Sequence, residues 1–186
     1  MLEDKKLKES SNLIKQLIAD GKITKPKEGA ASFFMAKSQQ SIAVASRLKE
    51  LQEEEGLAAE MWVINASYYS MFFAATALLA KFNHAIKSEA GIHRLTYHAL
   101  IHYFLVDDNK LSKHFMVEYK DAVDEAEELL QLSERKTEDF IKDFDSEMKK
   151  RKIFTYELGK TAEKKKAETS LSRAKNFVRE VESILK

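Results

Sequence analysis

The sequence predicts an all-α fold: an up-and-down bundle of four to five helices with an extra N-terminal helix. Three observations carry this. Apolar residues recur at helical spacing through most of the 186-residue chain. The one proline and five glycines fall between those stretches, where they punctuate helices rather than interrupt them. No segment shows strand-like alternation of useful length, and no internal repeat is present.

The elements follow in order. Residues 2–20 carry Leu2, Leu7, Leu13, Ile14, Leu17 and Ile18, a short amphipathic helix, and Gly21 to Lys27, with Pro26, reads as a linker. Residues 31–54 place Phe34, Ser38, Ser41, Ile42, Ala45 and Leu48 on one stripe, with small residues for close packing. Residues 58–82 form the most apolar helix, and residues 92–105 a shorter one with three histidines. Residues 111–150 are helical and highly charged, with apolar positions at Phe115, Tyr119, Val123, Ala126, Leu130, Phe140 and Phe144 and a break expected near Leu132–Thr137. Residues 161–185 close the chain with Leu171, Ala174, Phe177, Val178, Val181 and Leu185. The expected organisation is an N-terminal helical extension and linker at 1–26 and a bundle at 27–186.

Composition excludes several classes. With 44% hydrophobic and 33% charged residues, the chain is neither disordered nor a many-pass membrane protein. Thirty-one basic against thirty acidic residues leave a net charge of +1, so any electrostatic argument has to be local. The absence of cysteine removes disulfides, thiolate metal sites and a thiol nucleophile. The run Met61–Ala80 holds twenty consecutive uncharged residues, long enough for a membrane span. It also holds Asn65, Ser67, Tyr68, Tyr69, Ser70 and Thr76, and it stands alone among amphipathic, charged helices, so it reads as a buried central helix and no membrane is expected. Met1 to Lys6 is charged with no apolar run behind it, which makes the cytoplasm the expected compartment.

Charge is unevenly spread. Glu118 to Glu147 holds twelve acidic and four basic residues, whereas Lys149 to Lys186 holds twelve basic and five acidic ones. These segments either neutralise one another as antiparallel helices or leave a basic surface at Lys149, Lys150, Arg151 and Lys152 that attracts phosphates.

The candidate chemistry is narrow. His98 and His102 are one helical turn apart, flanked by His93 and His114, but no HExxH or ExxH arrangement completes a metal site. They are expected as packing or surface side chains, with no metal. GxGxxG, GxxxxGK[ST] and GxSxG are all missing, so no nucleotide loop or serine elbow is expected, and no cofactor. Trp62, Tyr68, Tyr69, Phe72 and Phe73 sit at helical spacing with no positive charge before Lys81, which favours core over a base-stacking platform. The segment Arg151-Lys152-Ile153-Phe154-Thr155-Tyr156 is a basic–aromatic junction before Gly159. On an ideal helix Arg151 and Tyr156 are about 140° apart, so joint action needs a bent backbone or pairing across two chains. Otherwise the pair is a helix-terminal cation and a packed tyrosine.

The stretch Asn65-Ala66-Ser67-Tyr68-Tyr69-Ser70-Met71-Phe72-Phe73-Ala74-Ala75-Thr76-Ala77-Leu78-Leu79 resembles the second helix of HEPN domains (higher eukaryotes and prokaryotes nucleotide-binding). Lys87 to His93 is similar to the stretch leading into their next helix, and Arg151-x4-Tyr156 resembles their Arg-x4–6-His motif, before the last long helix. The resemblance covers roughly residues 30–186. It implies a homodimeric bundle that is either a metal-independent RNase, with its motif residues meeting across two subunits, or a non-catalytic RNA- or nucleotide-associated module. It also implies a toxin–antitoxin or defence setting, with a minimal nucleotidyltransferase as partner. On that resemblance Arg151 binds the scissile phosphate, Tyr156 donates a proton or positions the phosphate, and Lys149, Lys150 and Lys152 hold backbone phosphates. A tyrosine near this motif also accepts a nucleotidyl group in some HEPN toxins.

Two residues depart from the family pattern: Tyr156 stands at the motif histidine and Phe73 at the second-helix histidine. A phenol titrates near 10 against about 6.5 for imidazole, so an unperturbed tyrosine is a weak base at neutral pH. Restoring full base strength needs a shift of about three pKa units, roughly 4 kcal/mol, more than a solvated lysine cluster supplies. Catalysis is therefore expected to be low or absent.

Overall fold

Two of the helices end in the same way, and this organises one end of the molecule. The computed structural model describes residues 4–88, 91–107, 111–125 and 158–186. Helix α1 (Asp4–Ala19) stops where Gly21 turns to φ 68°; the Gly21 N–H reaches the Ile18 carbonyl at 3.0 Å and the Lys22 N–H the Leu17 carbonyl at 2.8 Å. That is a Schellman turn, and the left-handed residue it needs is glycine. Helix α3 (Glu60–Lys81) ends identically on Asn83 at φ 66°, with the Asn83 N–H on Ala80 and the His84 N–H on Leu79. Asparagine is among the few side chains that tolerate this conformation. Each turn feeds a two-residue strand, β1 (Ile23–Thr24) and β2 (Ala85–Ile86), paired antiparallel with Ile23 opposite Ile86. The Lys87 N–H extends the clip to the Lys22 carbonyl at 2.8 Å. The segment expected as a plain linker thus carries a strand.

The rest is the expected all-α bundle. Helix α2 (Ala30–Glu55) and α3 form a hairpin, and α6 (Leu158–Leu185) packs along α3 and, less extensively, α2. The small residues of the α2 stripe serve close approach: Ser38 and Ala45 are fully buried, and the Ser38 hydroxyl donates to the Ser70 carbonyl at 2.9 Å. Gln39 to Glu182 at 2.9 Å and Lys49 to Glu168 at 3.6 Å tie α2 to α6. In α3, Glu60 lies in the first turn and Lys81 in the last, the signs the helix dipole favours. Helix α3 is long and apolar enough to cross a membrane, but 67% of its apolar window is buried inside the bundle, as fits a central core helix.

Helix α4 (Ile92–Leu100) continues into a π-helical segment (Ile101–Asp107), a change of winding that the expected single helix over 92–105 did not include. Residues 113–125 form helix α5, which runs antiparallel to α6: Glu125 meets Ser170 and Arg173, while Asp121 meets Arg173. Of the expected 111–150 helix, residues 126–150, with the expected break at Leu132–Thr137, lie outside the described residues.

The main core gathers Ile14 and Leu17 of α1, Met71 and Leu78 of α3, Leu100 of α4, Ile101 and Phe104 of the π-helix, Met116 and Tyr119 of α5, and Phe177 and Val181 of α6. A smaller cluster, Ala45, Val63, Ile64, Ala167 and Leu171, closes the other end. The N-terminal helix therefore contributes to the same core as residues 27–186.

Candidate functional site

Arg151 and Tyr156, with Lys149, Lys150 and Lys152, lie outside the described residues; the candidate features among the described residues lie on other helices. They fall into three parts.

The first is the outer face of the α2–α3 hairpin. Tyr68 is buried, Phe72 and Phe73 are half-buried, but Trp62 is 59% and Tyr69 40% exposed. The expectation that all five aromatics belong to the core is corrected at these two. Uncharged residues cover the whole circumference of α3, more than its neighbours can enclose, so part of that apolar surface faces outward. Val44 and Leu48 of α2, Leu57 before α3, and Trp62, Asn65 and Tyr69 on α3 line an open groove of about 660 Å³. Its polar groups are the Asn65 amide, the Trp62 indole and the Tyr69 phenol. The lining is mostly apolar, and the groove is open to solvent.

Next to it, His93 enters an aromatic group. Its ring centroid is 4.3 Å from Phe72, 5.3 Å from Tyr68 and 6.1 Å from Tyr69. Phe73 and Phe34 extend the group at 6.3 Å, and Phe33 stands at its rim, 56% exposed.

The third part is where α1 meets α4 and the π-helix. Ser10 Oγ lies 2.9 Å from His98 Nδ1, and Ser11 Oγ 3.2 Å from His102 Nδ1. Ser10 also donates to the Lys6 carbonyl at 2.8 Å, so its oxygen accepts from an Nδ1–H of His98, leaving Nε2 as the basic nitrogen. Burial first, then the Lys6 and Arg94 charges, push His98 down to about 4, against a small opposing effect of Glu9. His84 stacks on Tyr103 at 3.7 Å and 10°, and burial followed by the His102 charge lowers it too. His114 pairs instead with Glu118 on its own helix at 3.3 Å. Among the described residues no set of three or more histidine and carboxylate side chains is arranged to hold a metal ion.

Charge neutralisation between the acidic and basic segments is visible where both are described. Arg173, largely buried, takes Glu125 at 3.3 Å and Asp121 at 4.0 Å, and Ser170 donates to Glu125 at 2.6 Å. The open groove beside them, lined by His114, Glu118, Asp121, Glu168 and Arg173, carries more negative than positive charge and disfavours phosphate.

Sequence reasoning missed the serine–histidine contacts. Ser10 and His98 are separated by 88 residues, so no local spacing pattern reports them; the only hint is a Ser-Ser pair on one helix and an i, i+4 histidine pair on another. No family model, curated protein or solved structure matches the chain.

Proposed function

We propose that this chain is a cytoplasmic, RNA-associated module of the HEPN type, working as a homodimer in a toxin–antitoxin or defence pair. One observation carries the reading. The Asn65–Leu79 stretch that resembles the family's second helix lies in α3, the central buried helix of an all-α bundle, and the last long helix packs along it. Arg151 and Tyr156 fall just before that last helix, which starts at Leu158. In this reading two chains present Arg151 to the scissile phosphate, Tyr156 donates a proton or orients the phosphate, and Lys149, Lys150 and Lys152 track the backbone. Because the phenol is a poor base at neutral pH, turnover is slow.

A second reading is favoured by the exposed face of Val44, Leu57, Trp62 and Tyr69: a non-catalytic dimeric module that binds a nucleotide or a minimal nucleotidyltransferase. One set of measurements separates the two. Purified protein with EDTA present is expected to cut single-stranded RNA slowly, and Arg151→Ala to abolish the cut. Equal cleavage by the variant overturns the catalytic reading. No cleavage at high protein concentration, with dimers by light scattering and a co-purifying nucleotidyltransferase, selects the second. A monomer that neither cuts RNA nor holds a partner overturns both.

A further inference from the structure

The α1 interface combines features that belong to a reversible joint. The far end of α1 is fixed by backbone pairing, Ile23 to Ile86 and Lys87 to Lys22, which no side-chain titration disturbs. Between that clip and the helix stands the Gly21 turn, whose left-handed residue has room for a Cβ and whose bonds to Ile18 and Leu17 lie within α1's own last turn. The body of α1 is then held by the buried Ile14 and Leu17, by the partly buried Leu7 and Leu13 packed against the same core, and by the two serine–histidine contacts. Adjacent serines on one helix thus meet histidines one turn apart on the other.

We propose that this joint is an acid-sensitive latch: a positive charge on His98, in the seam between Lys6 of α1 and Arg94 of α4, undocks α1 from α4 and the π-helix while the β1–β2 clip keeps it tethered. The inference is independent of the proposed RNA chemistry.

The charges around His98 set the sign. From α1 it faces Lys6 and Glu9, which pair with each other at 3.6 Å, and from its own helix Arg94. From the other side, His84 and His102 face one another. The negative charges of Asp121 and Asp124 on α5 act on the neighbouring Tyr97. A proton on His98 Nε2 leaves the Nδ1–H to Ser10 intact. It does, however, place a third cation beside Lys6 and Arg94 in a half-buried seam where Glu9, the carboxylate that acts on His98 among the described residues, is already paired with Lys6. The joint fails through like-charge repulsion and desolvation rather than through a lost hydrogen bond.

Docked, His98 titrates at about 4; in an undocked helix it returns to the ordinary 6.5. Undocking is then favoured by up to about 30-fold at pH 5 relative to pH 7.5. Solvent reaching the ring reduces this to on the order of tenfold. Release bares Ile14 and Leu17 together with Leu7 and Leu13.

Amide hydrogen exchange read by mass spectrometry on the full chain at pH 5.0 and 7.5, corrected for intrinsic rates, tests the latch. Protection across residues 4–19 is expected to fall about tenfold at pH 5.0, while α3 keeps its own. His98→Asn, which holds a donor near the Nδ1 position but does not titrate, is expected to protect α1 equally at both pH values. Lys6→Gln, at a partly exposed position that does not threaten folding, is expected to show a smaller fall than the parent chain. Unchanged α1 protection in the parent, an equal fall in α3, or a full fall in either variant overturns the proposal.

Discussion

Tyr119 shows how a single side chain balances packing against polarity. Its ring is fully buried, 5.4 Å from Phe177 and 6.4 Å from Tyr97, yet its hydroxyl has no hydrogen-bond partner among the described residues. Burial, with Tyr68 nearby, holds the phenol well above its ordinary range, so it stays neutral at any physiological pH. Removing the hydroxyl deletes a desolvated, unpaired group and leaves the ring in place. Tyr119→Phe is therefore expected to leave unfolding free energy unchanged or raise it by up to about 1 kcal/mol, whereas Tyr119→Ala costs about 3–5 kcal/mol. Urea titrations of the three proteins decide it, and a loss above about 1 kcal/mol in the phenylalanine variant points to an unseen partner. At this scale the sequence was a good guide to apolar positions and a poor one to orientation. Leu171, Ala174, Phe177, Val178 and Val181 are buried as their spacing predicts, whereas Trp62 is not. Hydrophobicity says that a side chain gains by burial; it does not say whether a neighbour is available to bury it.

Among the elements, α1 and α3 depend on their terminal turns. A Cβ built on Gly21 meets nothing within 4 Å, so Gly21→Ala costs only the strain of a left-handed alanine, about 1–2 kcal/mol. Thermal melts are expected to show that loss undiminished by surrounding repacking; a neutral outcome means the turn relaxes to another form. The helices were legible because a 3.6-residue period repeats many times in 16 to 28 residues. Two-residue strands contain no measurable period, and each partner lies about sixty residues away, so Gly21 to Lys27 read only as a connection. The π-helical turn after Leu100 is likewise invisible to an apolar pattern, since Ile101, Phe104 and Leu105 suit either winding. The motif residues Arg151 and Tyr156 were readable as a basic–aromatic junction, but no periodicity joins them to the aromatic groove.

The whole molecule is expected to be most stable across a plateau whose acid limb is set by His98 together with His84 and whose alkaline limb is set by Tyr97 together with Tyr119. Between pH 6.5 and about 4 the unfolded chain binds a proton at His98 that the folded chain refuses, so stability falls as pH falls through that window. Tyr97 is pushed up to about 12 by burial, then by Asp124 and Asp121. Between pH 10 and about 12 the unfolded phenol ionises while the folded one does not, so stability falls there as pH rises. Melting temperatures from pH 4 to 11 are expected to trace this shape, with the acid limb flattened in His98→Asn. Retention of that limb in the variant assigns it to other groups. The same long-range joint that carries His98 also constrains biosynthesis. Helix α1 leaves the ribosome before its seat exists, because Ser10 and Ser11 wait for His98 and His102, 88 and 91 residues downstream. At about 5–20 residues per second, Ile14 and Leu17 stay uncovered on the nascent chain for roughly 5–20 s, long enough to be bound by a chaperone during translation.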